Sequence, residues 1–170
     1  TILTVLNTDI FYNYEYAFYD SHLVSEFEKF KSHYFRFSTK PFDFLNIQAG
    51  LGTGNEIAYR EEIPELGDRF SFNTSIEVTL NNNLRIKPSV NFSRLKKLDS
   101  QEYFFDGYIA RFDIRYQFTS SLNLRVISEY NEFSDQFFVQ PLISWRPNSD
   151  TIFYLGGNQN YICLLYTSDA

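Results

Sequence analysis

The feature that most constrains this chain is a strict two-residue alternation of apolar and polar side chains. Phe70, Phe72, Thr74, Ile76, Val78 and Leu80 occupy one phase, and Ser71, Asn73, Ser75, Glu77 and Thr79 the other. After Asn81-Asn82-Asn83, Leu84, Ile86, Pro88, Val90 and Phe92 alternate with Arg85, Lys87, Ser89, Asn91 and Ser93. A period of two places successive side chains on opposite faces of a strand, and the asparagines tolerate the left-handed backbone of a turn. The segment therefore reads as a β-hairpin with one apolar and one polar face.

The pattern recurs. Tyr108, Ala110, Phe112, Ile114, Tyr116 and Phe118 alternate with Arg111, Asp113, Arg115 and Gln117. Thr119-Ser120-Ser121 turns the chain, and Leu122, Leu124, Val126, Ser128 and Tyr130 alternate with Asn123, Arg125 and Glu129, with Ile127 interrupting the polar phase. Residues 131–136 form a further turn before Phe137, Val139, Pro141, Ile143 and Trp145, and 146–150 leads to a strand containing Ile152 and Tyr154. The first third is noisier: Ile10, Tyr12, Tyr14, Tyr16 and Phe18 alternate with Asn13, Glu15 and Ala17, and His33, Phe35 and Phe37 with Tyr34 and Arg36. A turn is expected at 38–41, and the phase change between Phe44 and Leu45 suggests a bulge. Residues 22–31 read as a loop leading into a strand. Short polar connections (38–41, 81–83, 119–121, 146–150) alternate with longer charged ones near 19–25, 60–68 and 95–103. The expected fold is all-β: an antiparallel up-and-down meander of about ten strands, part of a transmembrane β-barrel that is open or incomplete.

Alternation alone does not say which face meets water. A soluble barrel or sandwich turns the apolar face inward; a membrane barrel turns it to lipid. Strands of roughly 10 to 12 residues, close to a bilayer-spanning length, favour the membrane. So does the high aromatic content, 19% of residues, placed near strand ends as a lipid-facing girdle: Phe70, Tyr108, Phe118, Tyr130 and Trp145. No run approaches the ~18 apolar residues of a membrane helix. The formal net charge of −6 argues against a nucleic-acid partner. The single Cys, Cys163, excludes an intrachain disulfide and a cysteine metal cluster.

Three-residue turns fix register. Leu80 should face Leu84, Val78 face Ile86, and Glu77 face Lys87; across 119–121, Arg115 should face Arg125 and Arg111 face Glu129, with Asp113 between the two arginines of its strand. Glu77, Arg85, Lys87, Arg111, Asp113, Arg115, Arg125 and Glu129 thus form a mixed-charge ladder on the polar face. In a barrel it lines the lumen, either as solvated ion pairs that hold side chains in place or as a selectivity lining or binding site for an anionic or sugar solute.

No catalytic constellation, metal site or cofactor motif stands out. His33, in an apolar phase, reads as a packed or interfacial ring. Gly50-Leu51-Gly52-Thr53-Gly54 lacks the following helix that a phosphate loop needs, and reads as a strand end entering an exposed loop. Glu61, Glu62 and Glu65 read as a solvated acidic tip rather than a calcium site. An enzyme is not indicated.

Residues 124–131, Phe133-Ser134-Asp135, Pro141-Leu142-Ile143-Ser144-Trp145 and 151–156, with Tyr116-Gln117-Phe118-Thr119 and Pro41-Phe42-Asp43-Phe44, resemble the C-terminal barrel, a domain of unknown function, of bacterial proteins carrying an N-terminal carbohydrate-binding family-9-like module. Pro147-Asn148-Ser149-Asp150 replaces the Pro-Gly turn of that pattern. The resemblance implies a Gram-negative outer-membrane location, lipid as a partner, a glycan link through a module outside this chain, and no catalytic residues. It frames the expected function as a passive channel or the membrane anchor of a glycan-associated envelope protein, the alternatives being an envelope hydrolase with its site outside this fragment or a soluble β-barrel or sandwich binder. Because Ile2-Leu3-Thr4-Val5-Leu6 already reads as mid-strand, the start is expected to lie upstream. The C-terminal residues resemble translated sequencing adapter, so 1–161 is expected to be a partial barrel domain and 162–170 a non-native tail.

Overall fold

A computed structural model describes residues 2–5, 8–20, 26–59, 65–81, 83–100 and 102–162. The expectations for Cys163 and the tail beyond it, for Glu61 and Glu62, and for residues 22–25 of the expected loop fall outside these residues, whereas 26–31 of that loop are strand. The strands are β1 (Ile2–Val5), β2 (Thr8–Asp20), β3 (Glu26–Phe42), β4 (Leu45–Ala58), β5 (Glu65–Leu80), β6 (Leu84–Lys97), β7 (Tyr103–Gln117), β8 (Leu122–Asn131), β9 (Gln136–Trp145), β10 (Phe153–Gly156) and β11 (Gln159–Ile162). They form one antiparallel sheet in sequence order, and β10 and β11 both pair with β9. Phe153 opposes Trp145 and Tyr161 opposes Phe137 in an unbroken register, so β10 and β11 are one strand interrupted at Gly157-Asn158. The sheet is an open meander ten strands wide; its first and last strands are not joined.

The registers set by the short turns are found. Leu80 opposes Leu84, Val78 opposes Ile86, Arg115 opposes Arg125 and Arg111 opposes Glu129. Ser75 opposite Ser89 continues the register of Val78 and Ile86, which puts Glu77 across from Lys87.

Several boundaries differ from those read in the sequence. Strand β3 runs through Lys40-Pro41 to Phe42, with a bulge between Thr39 and Phe42, so the hairpin turn is Asp43-Phe44 rather than 38–41. Gly50 to Gly54 are mid-strand, because β4 continues to Ala58 and pairs with β5 as far as Glu65. Strands β2 to β7 have 13, 17, 14, 16, 14 and 15 residues, longer than a bilayer requires. Their extra length lies in charged segments such as Asp68-Arg69 and Lys96-Lys97, which carry ladder hydrogen bonds although the alternation of apolar and polar residues has broken down there. The contrast between short and long connections holds at 43–44, 81–83 and 118–121 but not at 146–152, which is as long as the loops at the other end. In β10 the apolar phase is Phe153 and Leu155, while Ile152 precedes the strand and Tyr154 opposes Ser144 on the polar side.

Between β8 and β9 a 3₁₀ turn, Glu132–Ser134, folds back over β7. The Asn131 side chain accepts from the Phe133 N–H at 3.0 Å, Glu132 accepts from the Tyr108 N–H at 3.1 Å, and the Phe133 ring occupies the space that a Cβ on Gly107 would need.

Among the described residues no second layer covers the sheet. Among the described residues the buried apolar side chains are Ile57, Ala58, Leu95 and Ile127. The chain exposes 12610 Å², against roughly 8,700 Å² for a compact globular chain of its mass.

Candidate functional site: a row of arginines on the polar face

Cross-strand partners share a face, so the register alone assembles the polar face. Arg85, Arg115 and Arg125 lie directly opposite one another on β6, β7 and β8. The adjacent row toward the loops is Lys87, Asp113 and Ile127, and the next is Ser89, Arg111 and Glu129. Like charges directly opposite in a sheet are unfavourable, so a row of three arginines needs counter-charge.

Asp113 supplies most of it. Its carboxylate accepts two hydrogen bonds from Arg115, from Nε and Nη2 at 3.2 Å each, and a third from Arg125 Nη2 at 3.3 Å. The bidentate geometry matches the planar fork of the guanidinium. Arg111 pairs with Glu129 at 3.4 Å. Glu77 pairs with Arg85 at 3.5 Å. Glu77 thus reaches its diagonal neighbour rather than Lys87, and Lys87, which faces Asp113, loses that carboxylate to the arginines. No ion pair to Lys87 is present among the described residues.

Ile127, which breaks the polar phase in sequence, sits between Asp113 and Gln140 and is buried. It gives the ion pairs an apolar floor. The Asp113 side chain is only 14% exposed while that of Arg115 is 51% exposed, so the acid is shielded and the guanidinium remains open to solvent.

Two hollows flank the row. One, of about 410 Å³, is lined by Glu77, Lys87, Ser89, Arg111 and Asp113 together with the three arginines. The other, of about 440 Å³ and toward the turns, shares the arginines and adds Thr79, Asn83, Gln117, Asn123 and Ser144, with no carboxylate. All eight residues of the expected charge ladder therefore lie on one face of β5 to β8.

Sequence reasoning missed a second region of this face. Gly50 and Gly52 of β4 leave a lane without side chains, and Tyr34 of β3 leans across it: a Cβ at Gly50 would lie 2.8 Å from the Tyr34 hydroxyl and 2.7 Å from Asn73 Oδ1. Gly54, with φ +154°, has the Lys31 carbonyl where a side chain would start. The neighbouring hollow of about 640 Å³ is lined by Tyr34, Gly52, Ser71, Asn73, Asn91 and Ser93, among others. A glycine at every second residue in the polar phase was the available signal.

The opposite face is chemically inverse. From Phe70, Phe92, Tyr108, Tyr130 and Phe137 at the loop end to Leu80, Leu84, Phe118, Leu122 and Trp145 at the turn end it carries no charged residue, and its polar groups are Thr74, Ser128 and the tyrosine hydroxyls. Rings pair at both ends: Phe70–Phe92 at 6.1 Å and Tyr108–Tyr130 at 5.9 Å at one, Tyr116–Phe118 at 4.7 Å and Trp145–Phe153 at 5.4 Å at the other. All five expected girdle residues lie on this face. Charge returns only beyond the loop-end band, at Asp68, Arg94, Lys96 and Asp106, where Arg94 lies over the Phe70 ring at 5.2 Å. His33 also belongs to this face, with Nδ1 2.9 Å from the Tyr12 hydroxyl and its ring 4.9 Å from that of Tyr14.

No family model, no curated protein and no solved structure matches this chain.

Proposed function

We propose that this chain is part of the wall of a bacterial outer-membrane β-barrel, with its apolar face against lipid and its polar face toward the lumen. The carrying observation is the uncovered apolar face, free of charge between two aromatic bands. Burying such a face is worth roughly 25 cal/mol per Å², and none of the described residues packs over it. The height fits as well. From Tyr108 to Phe118 the strand advances about 33 Å, or about 25 Å at the ~40° tilt of membrane barrels, which is the height of their apolar band.

In this reading the protein is a passive channel or the membrane anchor of a glycan-associated envelope protein. The polar wall, with its paired charges and open hollows, supports a water-filled lumen. The carbohydrate link rests on the resemblance of the hairpin motifs between Tyr116 and Gly156 to barrels that follow a carbohydrate-binding module.

Trp145, the single tryptophan of the chain, tests the location. Refolded into vesicles, the protein should show blue-shifted Trp145 emission that brominated lipids quench, and should migrate differently in gels before and after boiling. A monomer that folds in plain buffer, with Trp145 untouched by brominated lipid, would remove the membrane reading in favour of a soluble β-protein.

A further inference from the structure

We propose that the Arg85–Arg115–Arg125 row is a binding station for an oxyanion, a phosphate, sulfate or carboxylate group carried by a small solute. This rests on the barrel reading only for the route by which the solute arrives; the site itself is built from residues within one sheet.

Charge balance is the first reason. A set of purely structural ion pairs would be close to neutral. Here Arg85, Lys87, Arg111, Arg115 and Arg125 face Glu77, Asp113 and Glu129, leaving two positive charges over in a chain whose net charge is −6. The surplus is local, so it does not follow from composition.

Donor geometry is the second reason. Asp113 is shared between two guanidiniums, and Arg125 Nε is buried with no hydrogen-bond partner. A buried donor without a partner is destabilising, the more so on a charged group, so this site is incomplete as it stands. Guanidinium forks match the oxygen spacing of phosphate and carboxylate, and an oxyanion in this row meets several donors at once.

The surroundings are the third reason. On the turn side the arginines open into the hollow with Thr79, Asn83, Gln117, Asn123 and Ser144. These are neutral hydrogen-bonding groups, able to hold the hydroxyls of a solute whose anionic group sits among the arginines. At about 440 Å³ this hollow lies within the range of small-molecule sites.

The test titrates the folded protein with inorganic phosphate by calorimetry, in dodecyl maltoside micelles or in whichever medium it folds, at low ionic strength. Saturable binding is expected, weakening as salt screens the row. Arg85→Gln should weaken it about tenfold, the equivalent of one charge-assisted hydrogen bond, while leaving both pairs of Asp113 intact. Arg125→Gln gives a second reading, and Arg94→Gln, on the opposite face, should leave binding unchanged. Absent phosphate binding by folded protein, or binding indifferent to both Arg85→Gln and Arg125→Gln, overturns the proposal. Folding without detergent would sink the barrel reading instead and leave the titration equally informative.

Discussion

Strands β5 to β9 carry two surfaces that differ in every respect except their backbone. On one face the residues from Phe70 to Leu80 and from Tyr108 to Tyr116 include no charged side chain and, among the described residues, no covering layer; on the other, Asp113 and Glu129 hold Arg111, Arg115 and Arg125 in ion pairs above a buried Ile127. A water-soluble sheet leaves its polar face bare and covers the apolar one. Here, among the described residues, both faces are bare, and ion pairs knit only the polar one. That asymmetry fits a medium in which the apolar face needs no protein partner.

The sharpest way to break this contrast is to move a charge from one face to the other. Ile76→Arg places a guanidinium in the middle of the apolar face. In lipid vesicles it should destabilise by about 2–4 kcal/mol, read by guanidinium unfolding with Trp145 as the probe. Gln48→Arg, at an exposed polar-face position between Ser38 and Ser75, should stay within about 0.5 kcal/mol. Equal costs at the two positions would mean that the faces do not meet different media.

A second change separates side-chain chemistry from backbone shape within the polar face. Gly54→Ala forces a Cβ into the Lys31 carbonyl at a φ that L-residues rarely adopt, and should cost about 1–3 kcal/mol. Gly50→Ala meets only the ends of the Asn73 and Tyr34 side chains, which can swing away, and should cost less. Chemical denaturation of both variants gives the ranking.

These positions also show what sequence could and could not deliver. The faces of β5 to β9 were legible because every second residue over whole strands belongs to one chemical class. The hairpin registers followed from turn lengths. Strand β4 was cut short because Gly50, Gly52 and Gly54 have no side chain with which to declare a phase, and their space is taken by Tyr34, Asn73 and the Lys31 carbonyl from neighbouring strands. The loop-end extensions were read as loops because Asp68, Arg69, Lys96 and Lys97 are polar on both faces, while backbone hydrogen bonds, which sequence does not display, continue through them. On the charge ladder, membership was legible and partnership was not. Register places Lys87 against Asp113, but the arginines win the carboxylate because their forks reach it from two residues along the same strand, Arg115, and from the diagonal position across the sheet, Arg125.

Asp113→Asn tests that hierarchy. Loss of the shared carboxylate leaves three guanidiniums opposite one another with one counter-charge, Glu77, on Arg85. With Arg115 half exposed, the cost should be about 1 kcal/mol at low salt, shrinking as ionic strength rises. A cost that is independent of salt would mean that Asp113 acts through packing on Ile127 rather than through charge.

The smallest expected effect is the most discriminating. Leu80 and Ile76 share a strand and a face, and they are nearly equally exposed in the sheet, 43% and 39%. They differ in position along the strand: Ile76 is mid-band, while Leu80 ends it beside Asn81. If the apolar face were a protein–protein or sandwich interface, arginine at either position would be judged by local packing, and similar exposure would give similar costs. In a bilayer the cost follows depth, because a guanidinium near the interface reaches water and head groups while one at the midplane does not. Leu80→Arg should therefore cost no more than about 1 kcal/mol in vesicles, well below Ile76→Arg. Matching penalties at the two sites would contradict a lipid-facing wall even if Ile76→Arg alone proved costly.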